Sequence, residues 1–178
     1  AVETGQILIL LGFASAYIAV LIGLTQHNLK AVLAYSTVSQ MGLVIAVIGA
    51  GIAASDPQTL AAAGYYAMHH GFAKAALFLS VGLLAVTRGG ARMALLAGIA
   101  VIATSVAGLP GTGGALAKAA VKPVFDGVTL WLVTASGIGT SLILLRFLIL
   151  GARTEADTAR PPLLMSAPVI VMGLCALL

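Results

Sequence analysis

The sequence predicts an all-α polytopic membrane protein, and three observations carry that prediction. Hydrophobic residues make up 61% of the 178 and charged residues only 8%, against about 25% charged in an average soluble domain. The apolar runs are long and continuous, whereas a transmembrane barrel would alternate apolar and polar residues in segments of ~10. Short stretches with turn chemistry separate the runs: "TQHNLK", "SDPQ", "TRGGAR", "FDG" and "GARTEADTARPP".

A helix crosses the hydrocarbon core with about 20 apolar residues. Six spans qualify, at about 6–24, 31–53, 58–86, 93–125, 128–150 and 162–178. No soluble domain is inserted and no short-period repeat is present, so residues 1–178 read as a single transmembrane domain. No basic start or small-residue cleavage site marks a signal peptide. The chain opens on Ala1 rather than Met, as a processed or truncated piece would.

The charges set an orientation. With alternating spans, the connections after the first, third and fifth share a side holding Lys30, Arg88, Arg92, Arg153 and Arg160, with Arg146 within snorkelling reach. The other side holds Lys122. The positive-inside rule places the basic side in the cytoplasm and both termini outside. The net charge of +4 comes from singly scattered residues, which excludes a nucleic-acid partner. The lone Cys175 excludes an internal disulfide.

The second span opens "NLKAVLAYSTVSQMGLV", in which Ser36, Ser39 and Gln40 form one polar face. Such groups bind water or join helices; packing is the commoner use. The third span contains "GYYAMHHGFAKAALFLSVGLL". A lysine at a helix centre costs about 2.5–3.5 kcal/mol on insertion scales, so Lys74 needs a reason. Tyr66, His70 and Lys74 are spaced by four and share a stripe; His69 points about 100° away. A phenol, an imidazole and an amine in line can hand on a proton. The plainer alternative is packing, with Lys74 snorkelling or pairing with a carbonyl or carboxylate. Adjacent histidines face different sides of a helix and have no Cys, Asp or Glu nearby in the span, so no metal site and no cofactor are expected.

The fourth span is too long for one crossing, and its centre reads "VAGLPGTGGALAK". Pro110 breaks the hydrogen-bond ladder, and Gly108, Gly111, Gly113 and Gly114 loosen it. Two half-helices joined by an unwound segment are predicted, a device that recurs at transporter ion sites. Lys118 follows one turn after the break, near the positive N-terminal end of the second half if that half starts near Gly114. In the fifth span, Ser136, Gly137 and Gly139 allow close packing, and Arg146 either pairs across the bundle or snorkels. Glu3, Asp56, Asp126, Glu155 and Asp157 all fall at ends or loops, so no span holds an acid.

Three segments in order, "NLKAVLAYSTVSQMGLV", "HHGFAKAALFLSVG" and "GLPGTGGALAK", resemble the antiporter-like subunits of respiratory complex I, multi-subunit sodium/proton antiporters and energy-converting hydrogenases. The resemblance covers nearly the whole chain but only about the second half of a family member. It implies the second of two inverted five-helix repeats plus a closing helix. It also implies that Lys74 and His70 belong to a central proton relay, with Lys118 near the exit to the outside. Tyr66 stands where many members carry histidine, Asn28 replaces an acid two residues before Lys30, and Ala119 follows Lys118 where an acid is common. The broken segment lacks a second proline and the usual aromatics.

The function expected is a proton-translocating subunit, or half-subunit, of a redox-driven or ion-exchange complex in an energy-conserving inner membrane. Its relay residues are Lys74, His70 and Lys118, with Tyr66, His69, Ser36, Ser39, Gln40 and Lys30 as further relay or water-binding groups. Its partners are the lipid bilayer and other membrane subunits, one of them supplying the first repeat. The alternatives are a cation/proton antiporter component moving Na⁺ or K⁺, and a non-conducting piece of a membrane arm. Redox chemistry would belong to partner subunits of the NADH:quinone or hydrogenase type.

Overall fold

The computed structural model describes residues 2–155 and 166–177. Among these described residues seven α-helices follow in order: α1 (Val2–Thr25), α2 (Leu29–Ala54), α3 (Pro57–Leu84), α4 (Gly89–Ala107), α5 (Gly113–Val121), α6 (Gly127–Arg153) and α7 (Ser166–Leu177). A short 3-10 turn, Lys122–Val124, follows α5. Five of them, α1 to α4 and α6, are long and apolar enough to cross a membrane, and α7 is a shorter apolar helix. Asp157, Arg160 and the start of the predicted sixth span lie outside the described residues.

Helix ends follow local chemistry. Asn28 caps α2, its side chain accepting from the amides of Lys30 and Ala31 at 2.9 and 3.3 Å. An uncharged amide caps as well as an acid, so the departure at Asn28 keeps the cap. Asp56 caps α3 ahead of Pro57, where a missing N–H costs nothing. The Thr59 hydroxyl, donating at 2.5 Å, together with the amide of Gln58, holds the Asp56 carboxyl below the usual carboxylate range. At the C-terminal end of α2, Ser55 takes the left-handed conformation (φ 55°) and returns its N–H to the last turn.

Packing of α1 on α2 rests on small residues. A Cβ on Gly12 would stand 2.5 Å from the Gly42 carbonyl, and one on Gly49 2.6 Å from the Gly5 carbonyl. The two backbones therefore touch, as small-residue faces permit in membranes. Helix α3 is the hub, packed by α2, α4, α5 and α7, while α6 closes against α1, α2 and α4.

The basic end is tied together by two arginines. Arg92, at the start of α4, donates to the carbonyls of Leu84 at 2.6 Å, Gly151 at 2.8 Å and Thr154. One guanidinium thus caps the C-terminal ends of both α3 and α6, where helix dipoles favour a cation. Arg146 does pair across the bundle: its Nε donates to the Gln26 carbonyl at 2.8 Å.

The core is layered. One apolar cluster, with Leu33, Leu77, Leu84, Ile143 and Phe147, fills the basic end. A second, with Leu43, Val47, Ala63, Val121 and Val133, fills the opposite half. On α2, α3 and α6, buried polar side chains fall where the two clusters meet: Ser36, Ser39 and Gln40 on α2, His69, His70 and Lys74 on α3, and Ser136 and Thr140 on α6, while Ser105 of α4 lies within the run of the first cluster.

Candidate functional site

The polar layer is built by helical spacing. Tyr66, His70 and Lys74 are 3–4% exposed and share the inner stripe of α3, as their four-residue spacing predicts. Lys74 sits about 15 Å of helix rise from Leu84 and about 26 Å from Pro57, well inside the span. Its Nζ donates to the Ser36 hydroxyl of α2 at 2.6 Å. The described acids Glu3, Asp56, Asp126 and Glu155 all stand at helix ends or beyond them, so this buried amine is held by a neutral group.

One turn along, Tyr66 donates its hydroxyl proton to the Gln40 side-chain carbonyl, and the Gln40 amide donates to the Thr140 hydroxyl. Thr140 in turn donates to the Ser136 carbonyl at 2.9 Å. This run joins α3, α2 and α6 and ends on a backbone acceptor, so its members have fixed donor and acceptor roles. His70 lies between the Lys74–Ser36 pair and the Tyr66–Gln40 pair. Its Nε2 and the Ser39 hydroxyl are buried without a hydrogen-bond partner among the described residues. Two buried polar atoms left unbonded are costly. His70 is within electrostatic reach of Lys74, His69 and Lys118.

The break in the fourth span starts at Gly108, as expected, but is narrower, because α5 already begins at Gly113. Helix α4 starts at Gly89 rather than near residue 93 and runs 19 residues, about 28 Å, before it stops. Gly108 and Gly111 both take φ 87°, a conformation that suits glycine, with Pro110 between them. Gly113 and Gly114 belong instead to the first turn of α5, capped by the Thr112 side chain. Any side chain at position 114 would collide with the Ser105 carbonyl of α4, so Gly114 lets the two helix ends overlap. His69 reaches this junction, its Nε2 3.2 Å from the Ser105 hydroxyl.

Lys118 reaches back across the break. Its Nζ donates to the Ala107 carbonyl at 2.6 Å, at the negative C-terminal end of α4. The expectation that Lys118 lies near the positive start of the second half-helix is corrected: it stands in the last turn of α5. Lys118 also lines a cleft of about 320 Å³ with Lys122, Ser136, Gly137 and Ser141, between α5 and α6.

Of the predicted residues, Lys74, His70, Tyr66, Ser36, Ser39 and Gln40 come together between α2 and α3. His69 and Lys118 meet the α4–α5 junction from different sides. Lys30 does not join them; it is exposed on the first turn of α2. Sequence reasoning missed Thr140 and Ser105. Both are polar residues in apolar runs, and Thr140 lies four residues after Ser136, a spacing that marks a shared face.

These features define a polytopic, all-helical membrane protein with a buried polar layer and a broken helix beside it. The chain belongs to the NADH:quinone oxidoreductase/Mrp antiporter transmembrane family, whose model matches residues 1–143. A putative antiporter subunit, mnhA2, of Staphylococcus aureus strain MRSA252 is 34% identical over 116 aligned residues, taking in 53% of this chain and 14% of that protein. The mnhA2 of strain JH9 matches to the same extent. Among solved structures, a chain of respiratory complex I from Thermus thermophilus with bound aureothin is 26% identical with a TM-score of 0.71. That likeness covers 97% of this chain and 42% of the other. The chain therefore spans less than half the length of the relatives it matches.

Proposed function

We propose that this chain is a proton-translocating membrane subunit, or half-subunit, of a larger redox-driven or ion-exchange complex, with Lys74, His70 and Lys118 as its relay groups. One observation carries the reading: Lys74 is buried inside a membrane span and hydrogen-bonded to a serine hydroxyl instead of a carboxylate. A lysine kept for packing would be matched by an acid, because an unmatched buried cation is costly. A lysine kept for proton exchange gains from a weak, neutral partner. The unbonded His70 Nε2 beside it supplies a second exchangeable site.

We read residues 1–178 as the second half of an antiporter-like subunit from the order of the three motifs, with the first repeat supplied by another chain or segment; the 42% share of the complex I chain is about the size of a half. Its partners are then neighbouring membrane subunits, as the words "antiporter subunit" and "respiratory complex I" imply for the relatives. The clustering of Lys30, Arg88, Arg92, Arg146 and Arg153 at one end supports a cytoplasmic basic end and outward termini in an inner, energy-conserving membrane.

The test is proton flux in proteoliposomes holding the intact complex with Lys74→Ala or Lys118→Ala. Each variant is expected to assemble and to lose flux, with no Na⁺ requirement in the parent. Unchanged flux in both variants refutes the relay and leaves a scaffold. Flux that depends on Na⁺ or K⁺ assigns the chain to cation/proton antiport, the reading that the similarity to mnhA2 favours.

A further inference from the structure

The polar layer leaves a second basic feature unused. At the basic end, the exposed side of α6 presents Leu142, Leu145, Arg146, Ile149 and Arg153, which fall on one helical stripe. With the end of α1 and His27 they line a groove of about 310 Å³. Its two parts differ in chemistry. The stretch from Leu142 to Ile149 offers about 10 Å of apolar wall, and these leucines and the isoleucine are 44–54% exposed. The mouth holds two guanidinium groups and an imidazole, and no acid among the described residues lines it.

Arg146 is held in place by the bond from its Nε to the Gln26 carbonyl. Its two terminal nitrogens, and the whole guanidinium of Arg153, make no hydrogen bond or ion pair among the described residues. An anchored guanidinium with open terminal nitrogens fits two oxygens of one phosphate group. An apolar wall running into the bilayer below it fits an acyl chain. A soluble anion would make no use of that wall, and an apolar helix would leave the arginines unmatched.

We propose that this α1–α6 groove is a binding site for an anionic phospholipid. The phosphate sits on Arg146 and Arg153, and an acyl chain lies along Leu142, Leu145 and Ile149. The site is separate from the buried polar layer, so it stands or falls independently of proton translocation. Basic recesses between membrane helices at the cytoplasmic surface are suited to such headgroups.

The experiment reconstitutes the intact complex in nanodiscs of equal phosphatidylglycerol and phosphatidylcholine, then counts retained lipids by native mass spectrometry after detergent stripping. The parent is expected to retain phosphatidylglycerol preferentially. Each arginine near a headgroup contributes about fivefold in occupancy, so Arg153→Gln should lose about that factor and Arg146→Gln/Arg153→Gln on the order of thirtyfold. Lys122→Gln, which removes the same charge at the other end, should change nothing, and Arg146→Lys should lose less than Arg146→Gln. Arg153→Gln keeps the test sound if Arg146 variants fail to assemble, because Arg153 bonds to nothing among the described residues. Equal retention of the two lipids overturns the proposal, as does no retention, or a preference unaffected by Arg153→Gln. Loss of the preference in 10 mM inorganic phosphate at constant ionic strength, a concentration on the order of that needed to fill a weak anion site, would reassign the groove to free phosphate. Protection of the groove from labelling by a neighbouring subunit, with no lipid retained, would reassign it to a protein contact.

Discussion

Replacing Lys74 with methionine separates a working amine from a packing amine, because the two roles give opposite signs in stability. Lysine at a helix centre costs about 2.5–3.5 kcal/mol on insertion scales. The bond to Ser36, at 2.6 Å, returns about 1.5–3 kcal/mol if the amine is charged. Methionine removes both and fills the same space with an unbranched apolar chain of similar length. The net change therefore runs from about zero to about 2 kcal/mol in favour of the variant. Proton translocation should nonetheless be lost, because methionine carries no exchangeable proton. The assay pairs heat-induced loss of the assembled complex with proton uptake into proteoliposomes, on the same preparation. A variant that melts several degrees earlier while the surviving complex pumps at the parental rate would show that Lys74 is there for packing, and the reasoning would fail.

Arg92→Ala should destabilise the basic end by about 2–4 kcal/mol, since three helix-terminal carbonyls lose one shared cation; Arg92→Lys, a single point of charge, should recover only part of it in thermal melts. Gln40→Leu leaves the buried Tyr66 hydroxyl without its acceptor and should cost about 1–3 kcal/mol. Adding Tyr66→Phe should restore part of that loss, which a double-mutant cycle on melting would detect. Asp56 is held low by the Thr59 hydroxyl. Its contribution to stability is complete above the ordinary aspartate pKa and is lost as pH falls through the depressed folded value. Asp56→Asn should therefore flatten the acid limb of a melting-against-pH profile, and an unchanged limb would count against the cap.

Much of the fold can be read from local signals. The apolar runs locate five membrane-length helices, "SDPQ" marks the turn between α2 and α3, and the Gly–Pro cluster marks the α4–α5 break. The stripe of Tyr66, His70 and Lys74 needs only the period of a helix. Partnerships across the bundle are less accessible, because helix period says which face a residue takes but not what that face meets. Thr140 looks like an ordinary polar residue on α6 until Gln40 is brought against it. Arg92 reads as an interfacial loop charge, yet it binds the ends of two helices distant in sequence. The exact limits of the break depended on the same kind of knowledge. Gly113 and Gly114 look like loop residues, but they form the first turn of α5, where Gly114 packs against Ser105 of α4.

The sandwich of one polar layer between two hydrocarbon-filled halves has an electrical consequence. Voltage across a membrane falls mainly through its least polarisable material, so here it divides into two drops in series. A unit charge that enters from one face and stops at the depth of Lys74 does work against only a part of the total. Roughly half of ~2.3 kcal/mol per 100 mV is at stake on each leg. In the proposed relay, transfer through this bundle would proceed as two modest climbs with a landing between them, each responding separately to the membrane potential.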